Sequence, residues 1–423
     1  MKNENTLNIV DWIKDNVIHL RSLDQDDSFN DLEPLRDIIG NAKVVALGEN
    51  SHFIKEFCQI RFRILRFLVE ECGFNVHALE FGFTEGFEVN SWIHNYDRKE
   101  EELKTLLGHF PYPLQIHETL GWMRNYIKSK SKQLNFVGID VPRNGGSFFP
   151  SLDVINDFFK VADPEGLIFI SDIWEITKKI DGFSTAQSAF LLNTLSGQEK
   201  DKITSQINRL LYRLEALAPQ HISRFGEKKY KTIHQHLKSI CYSNYNSHAM
   251  NGFISGKGLP GDMGARDKFM ADSVLWHLND SNSKIVLVAH NAHIQKLPIR
   301  YGDFLSCLPM GQRLSSELGT DYISLGLTSK TGYTAALFPD EKYKFGFRIE
   351  NTKLEMPASG SIEKLLEEAN VENGIISFKH IPRGSNDPTL IRFDSEYIET
   401  SVIDAFDGLI QIPTSSIADG LVF

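Results

Sequence analysis

Glu49 and His52 stand three residues apart in the stretch AKVVALGENSHFIKE, residues 42–56. A histidine takes up and returns protons near pH 7, and a carboxylate beside it fixes its tautomer and raises its basicity. The apolar run before the pair stops at Gly48, and a helical pattern starts near Ile54. The pair therefore falls where a strand ends and a helix begins, the edge at which α/β proteins bind ligands. Three more apolar runs end in the same way: residues 75–79 at Glu80, 134–139 at Asp140, and 284–289 at His290-Asn291-Ala292-His293. Acidic caps are common in such loops, so one of these residues says little. Four strand ends carrying ionisable groups to one sheet edge point to an active site.

Arg61 adds a cation. It lies on the apolar face of the helix expected over residues 54–72, four residues from both Phe57 and Leu65. Its guanidinium keeps its proton, so burial requires an acidic partner; the plainer reading is a side chain that reaches past the apolar stripe to solvent. Histidine, glutamate and arginine held together supply a base, an orienting carboxylate and a cationic stabiliser.

The elements that must position these residues read as an α/β fold: a mostly parallel central sheet flanked by helices, with a helical insertion. Strands are expected over 44–47, 75–79, 134–139, 284–289 and 321–327, with short ones at 335–338, 375–378 and 409–412. Strand, helix and strand in succession make a right-handed unit with parallel strands. Leu7, Ile9, Val10, Ile13 and Val17 share one face of a leading helix, and a second short helix over 32–39 ends at Gly40. Residues 81–86 read as a loop, 108–113 as a break, and 118–130 as a helix. From 150 to 250 the pattern is helical, with Ile203, Ile207, Leu210, Leu211, Leu214 and Leu217 at helical spacing and one short apolar run at 167–170. This insertion is a candidate lid within one α/β domain spanning 1–423; a plain helical layer fits the pattern equally.

Composition narrows the function. Of 423 residues, 41% are hydrophobic and 24% charged, which suits a globular chain able to bury a core without staples. Acidic residues outnumber basic ones by 55 to 45, giving a net charge of −10, the wrong sign for a nucleic-acid binder. The basic run Glu227-Lys228-Lys229-Tyr230-Lys231 reads as a solvated helix end. Cys58 and Cys72 fall on one helix roughly 21 Å apart, too far to bridge. With no CxxC among the four cysteines, a reducing, cytoplasmic setting is expected. The first residues hold no apolar signal segment, and no apolar run reaches 18 residues, so neither export nor a membrane span is expected.

Several familiar motifs fail. There is no GxSxG elbow. No cysteine falls in the expected site loops. His117-Glu118 opens an HExxH pattern that Gly121 breaks. Gly256-Lys257-Gly258-Leu259-Pro260-Gly261 has GxGxxG spacing without a preceding strand, and is read as a loop. His234 and His236 sit in a helical run and are read as surface residues. His290 and His293 with Glu49 or Glu80 would satisfy a zinc or iron ligand set. Against this, Arg61 would place a fixed positive charge near the cation.

At these residues the chain resembles the erythromycin esterase family. The resemblance is carried by VVALGENSHFIKEF, ALEFGFTEG, FVGIDVPRNGG, GDMGARDKFMADSVLWHL, IVLVAHNAHIQK and LPMGQ, in order, and extends through most of the chain. It implies hydrolysis of the macrolactone ester of 14-membered macrolides such as erythromycin, conferring antibiotic resistance. It also implies a metal-independent mechanism without a covalent acyl-enzyme or a cofactor. His52 becomes the base that activates water, and Glu49, Glu80, Arg61, His290 and His293 its supporting residues. The expected partners are the macrolide and water. An amino sugar on a large apolar ring asks for a wide apolar cleft with some acidic character. Residues 81–86, Trp92, Phe148, Phe149 and Met310 are candidates for its lining. A metal-dependent hydrolase of another ester or phosphoester is the alternative, and sequestration by binding alone a third.

Overall fold

Residues that share no sequence neighbourhood meet because four parallel strands end side by side. The computed structural model describes residues 8–108, 112–278 and 282–419. Its main sheet has nine strands: β1 (Ile18–His19), β2 (Val44–Leu47), β3 (Val76–Gly82), β4 (Asn135–Asp140), β5 (Ile285–Val288), β8 (Tyr322–Pro339), β9 (Phe347–Lys353), β10 (Gly374–Ser377) and β13 (Gly408–Ser415). Two hairpins stand apart, β6 (Ile299–Tyr301) with β7 (Phe304–Cys307), and β11 (Leu390–Phe393) with β12 (Glu396–Glu399). The order across the sheet is β1-β10-β13-β8-β2-β5-β3-β4, with β9 on the far half of β8. From β13 to β4 every pairing is parallel, whereas β1, β10 and β9 pair antiparallel. This is the mostly parallel sheet expected from the sequence.

Alternation along the central strands fills two apolar layers. Val45 and Leu47 of β2, with Val286 and Val288 of β5, face one layer; Val44, Ala46, Ile285 and Leu287 face the other. Strands covered on both faces read as unbroken apolar runs, which is why β2 and β5 were legible. Just past β2, position 48 is held to glycine because a Cβ there would collide with the Asn291 carboxamide. That carboxamide bonds the Leu327 carbonyl and N–H, tying the end of β5 to the middle of β8.

The insertion is helical throughout, in helices Phe149–Ala162, Leu167–Ile180, Thr185–Leu191, Gly197–Ala216, Ala218–Phe225 and Glu227–Ile254. It has its own apolar cluster, including Leu152, Ile173, Ile207, Leu210 and Leu237. The apolar run at 167–170 is the first turn of a helix.

Other boundaries move. β3 runs through Glu80 to Gly82, and helix Phe83–His94 starts at once, so the expected loop over 81–86 does not exist. Its glycines serve close packing: Gly86 lies against the β4 backbone at Gly138. The helix expected from 118 begins a turn earlier, as Leu114–Lys130 behind Pro113. The strand expected at 335–338 is the far half of β8, which continues past Gly332 at φ 107°. The leading helices are Ile9–Asn16 and Leu35–Ile39. Leu7, and residues 109–111 of the expected break, lie outside the described residues.

Candidate active site

The ends of β2, β5, β3 and β4 stand in that order across the sheet, delivering Glu49, His290, Glu80 and Asp140 to one edge. The buried arginine of helix Lys55–Glu71 finds its acid there. Arg61 Nη2 lies 2.7 Å from Glu49 Oε2, and Glu49 Oε1 lies 2.9 Å from His52 Nδ1. The reading in which Arg61 reaches solvent is overturned, since its side chain is 7% exposed. Burial alone would raise the Glu49 carboxyl, but Arg61 and then His52 outweigh it and hold it down at about 2. Burial likewise works against the charged form of His52, and Glu49, with Glu80 and Asp394 behind it, overcomes this and raises the ring above its ordinary value. With Nδ1 on Glu49, the other ring nitrogen, Nε2, is left for the cleft. The His52 side chain stays 30% exposed.

A second glutamate–histidine–arginine group lies beside the first. Glu80 Oε1 is 2.9 Å from Arg266 Nη2 and 3.4 Å from His293 Nε2. Arg266 also holds Asp140, through Nε at 2.9 Å and Nη2 at 2.5 Å. His293 Nδ1 bonds Asp267 Oδ1 at 2.8 Å. Burial would lower the His293 ring, but Asp267 and Glu80, one on each nitrogen, push it up to about 10. Burial raises Glu80, and His293 followed by Arg266 brings it well below the ordinary carboxylate value. Glu80 Oε2 accepts the His290 backbone N–H at 3.1 Å.

His290 is a different kind of histidine. Its Nδ1 accepts the Ala292 N–H at 3.1 Å, which puts the ring proton on Nε2. Burial first, and then the neighbouring His52, push it down to about 3, so it is neutral. Its ring packs edge-on against His52 at 5.2 Å and against Phe393 at 4.8 Å between centroids. Phe393 ends β11, and the next residue, Asp394, sits at φ 51° with its N–H on the Asn50 carbonyl at 2.7 Å. Burial pushes the Asp394 carboxyl up to about 6 despite His52 nearby. The β11–β12 hairpin thus clamps the turn that carries His52.

All six expected site residues, with Asp140, therefore share one edge. Arg266, Asp267 and Asp394 join them without having been singled out. Arg266 and Asp267 belong to the first turns of helix Gly264–His277, where adjacent opposite charges look like a solvated helix start. The only sequence signal was their place in the segment GDMGARDKFM. Among the described residues no group of three or more His, Cys, Asp or Glu side chains is arranged to hold a metal ion. Each site glutamate faces an arginine instead.

Above this edge opens a cleft of about 1060 Å³, counting its solvent-open part. Glu49, His52, Arg61, Glu80 and Arg266 form its floor; Phe53, Leu79, Ile116, Leu337 and Phe347 are among its apolar walls. Thr185 and Met250 of the helical insertion also reach it. The lining expected from Trp92, Phe148, Phe149 and Met310 is corrected, since none borders the cleft. Trp92, Phe148 and Met310 are core residues, and Phe149 packs on Trp174. Cys58 borders it from helix Lys55–Glu71 rather than from a site loop, and burial pushes its thiol up to about 11, so it is no nucleophile at neutral pH. His236 is buried rather than surface, its Nδ1 bonded to Thr84 at 2.9 Å.

The family model for erythromycin esterase matches residues 69–415. Erythromycin esterase type II of Escherichia coli is 50% identical over 412 residues, covering 97% of this chain and 98% of that protein. Erythromycin esterase type I of Escherichia coli is 28% identical over 403 residues, covering 93% and 96%. Among solved structures, a histidine-to-asparagine mutant of the erythromycin esterase EreC in its open conformation superposes with a TM-score of 0.87 at 26% identity. That superposition covers 96% of this chain and all of that one. On the length and identity of these matches, this chain is a member of the erythromycin esterase family.

Proposed function

We propose that the protein hydrolyses the macrolactone ester of 14-membered macrolides such as erythromycin, with His52 activating the attacking water, and so confers resistance to them. The observation that carries this is the Glu49–His52 pair at the floor of a wide, largely apolar cleft in a chain half identical to an erythromycin esterase. His52 Nδ1–H donates to Glu49, and Nε2 takes a proton from water as its oxygen attacks the ester carbonyl. Glu49 holds the ring and favours its charged form, while Arg61 holds Glu49.

The carbonyl oxygen becomes an oxyanion and needs a donor. Arg266 suits this better than Arg61. Both its Nε and Nη2 are spent on Asp140 and Glu80, whereas Nη1 makes no hydrogen bond within the described residues, and the side chain borders the cleft. A charged donor fixed in a partly desolvated site is worth roughly 10²–10³ in kcat. Collapse of the tetrahedral intermediate breaks the C–O bond of the ring. The departing alkoxide takes the proton back from His52, leaving an open-chain hydroxy acid.

Thr185 and Met250 of the helical insertion reach the cleft, which supports a role for the insertion as a lid over a bound macrolide. Four free cysteines fit a reducing compartment, and we place the protein in the cytoplasm. Its negative charge argues against a nucleic-acid partner. No helix among the described residues is long and apolar enough to cross a membrane.

The test is the mass of erythromycin after incubation, with and without chelator. Addition of one water in both samples is expected. Loss of turnover with chelator favours a metallohydrolase, and an unchanged drug mass favours sequestration.

A further inference from the structure

Next to the catalytic cleft, and sharing Tyr112 and Asn144 with it, lies a second cavity of about 760 Å³, counting its solvent-open part. Its wall is aromatic, with Phe81, Tyr112 and Phe183, and one carboxylate, Glu85, stands in it. Glu85 belongs to the first turn of helix Phe83–His94. Its Oε1 accepts the Arg143 backbone N–H at 2.7 Å. Arg143 and Asn144 have φ of 48° and 50°, left-handed values that persist in side-chain-bearing residues only where the surroundings hold them. One oxygen of Glu85 thus has a structural task.

The other oxygen has none. Glu85 Oε2 is buried and makes no hydrogen bond within the described residues. The guanidinium of Arg143, which also lines the cavity, turns to Asp181 at 3.0 Å and to the Gly182 carbonyl at 3.3 Å. A buried carboxyl with an idle oxygen amid aromatic rings is short of a cation. Burial pushes this carboxyl up to about 7, outweighing the backbone N–H groups and the Arg143 charge that favour its ionised form. Phe183 already shows the affinity of its ring for cations, with Lys344 Nζ 4.4 Å from its centroid.

We propose that this cavity seats the amino sugar of the macrolide, its protonated tertiary amine paired with Glu85 and lying against the aromatic wall while the lactone ester meets His52. The proposal rests on the macrolide esterase reading and deepens it. The cavity and the cleft have Tyr112 and Asn144 as common lining residues, so a macrolide lying across these two side chains would present its sugar to Glu85 and its ring to His52. Attraction of an alkylammonium by ring faces and a carboxylate is sensitive to charge, and a neutral acceptor in the same place does not replace it.

Glu85→Gln keeps the acceptor for the Arg143 N–H and removes the charge. The measurement is the ratio of kcat/KM for erythromycin to that for the same macrolactone stripped of its amino sugar. We expect Glu85→Gln to lower the ratio about tenfold, through KM. An unchanged ratio overturns the proposal, because a purely structural Glu85 affects both substrates alike. Phe183→Leu is expected to lower the same ratio by a smaller factor, and it decides alone if Glu85→Gln does not fold; an unchanged ratio there also overturns the proposal. Addition of water to either lactone by the unaltered protein tests the esterase reading separately, so the two failures are distinguishable.

Discussion

Two glutamate–histidine–arginine groups lie side by side at the carboxyl edge of the sheet: Glu49, His52 and Arg61 after β2, and Glu80, His293 and Arg266 around the end of β3. Their composition is the same and their chemistry is not. His52 touches one carboxylate, keeps a second nitrogen for the cleft and is half-buried. His293 has a carboxylate on each nitrogen, is pushed up to about 10, and is a fixed cation at neutral pH. A base must give up its proton near the working pH, so only the first group can cycle. The second is a static lattice in which Glu80, Asp140 and Asp267 are matched by Arg266 and His293. On the proposed mechanism its task is to aim Arg266 at the cleft.

The largest effect expected from this difference is at His52. His52→Gln should lower kcat for erythromycin hydrolysis by about 10³ or more while circular dichroism and Tm stay near those of the unaltered protein. Next comes Arg266. Arg266→Lys keeps a charge but loses the fork that spans Glu80 and Asp140, and should cost about 10² in kcat with a smaller change in KM. Equal loss in KM alone would mean that Arg266 binds substrate without stabilising the transition state.

His293 is expected to show in stability instead. Its folded pKa lies above the unfolded value of about 6.5, so its contribution is fully present below that pH and is lost as pH rises through about 10. Tm should therefore fall between pH 6.5 and 10, and His293→Gln should flatten that fall; a Tm independent of pH in the unaltered protein would break the comparison. The smallest effect is at Cys58. With its thiol pushed up to about 11, Cys58→Ala should retain kcat within about twofold, and iodoacetamide should leave activity intact at pH 7.

What was legible in the sequence followed from strong local patterns. β2 and β5 are apolar on both faces and end at Gly48 and His290, so their ends and cargo could be read together. Arg61 stood out because a charge interrupted an apolar helical stripe. Arg266 and Asp267 were hidden because their partners are distant in the chain: Asp140 lies 126 residues from Arg266, and His293 lies 26 from Asp267. On their own they are charges in a helix start. Asp394 was hidden by an ordinary hairpin turn. The cleft lining was misread for a related reason. Trp92 and Phe148 are large and apolar, but only the packing of helices on the sheet decides whether such a ring faces core or cleft. Gly82 and Gly86 suggested a loop, whereas the first makes room for the Glu85 carboxylate and the second for the β4 backbone.

The most direct test of the division between the two groups is the pH dependence of kcat/KM for erythromycin in the unaltered protein, in His52→Gln and in His293→Gln. On the proposed mechanism the neutral form of His52 is the active one, and its pKa is raised, so activity should climb with pH through an apparent pKa above 6.5. That limb should persist in His293→Gln and vanish in His52→Gln. A limb that survives in His52→Gln and disappears in His293→Gln would contradict the account and make the second group the one that moves the proton.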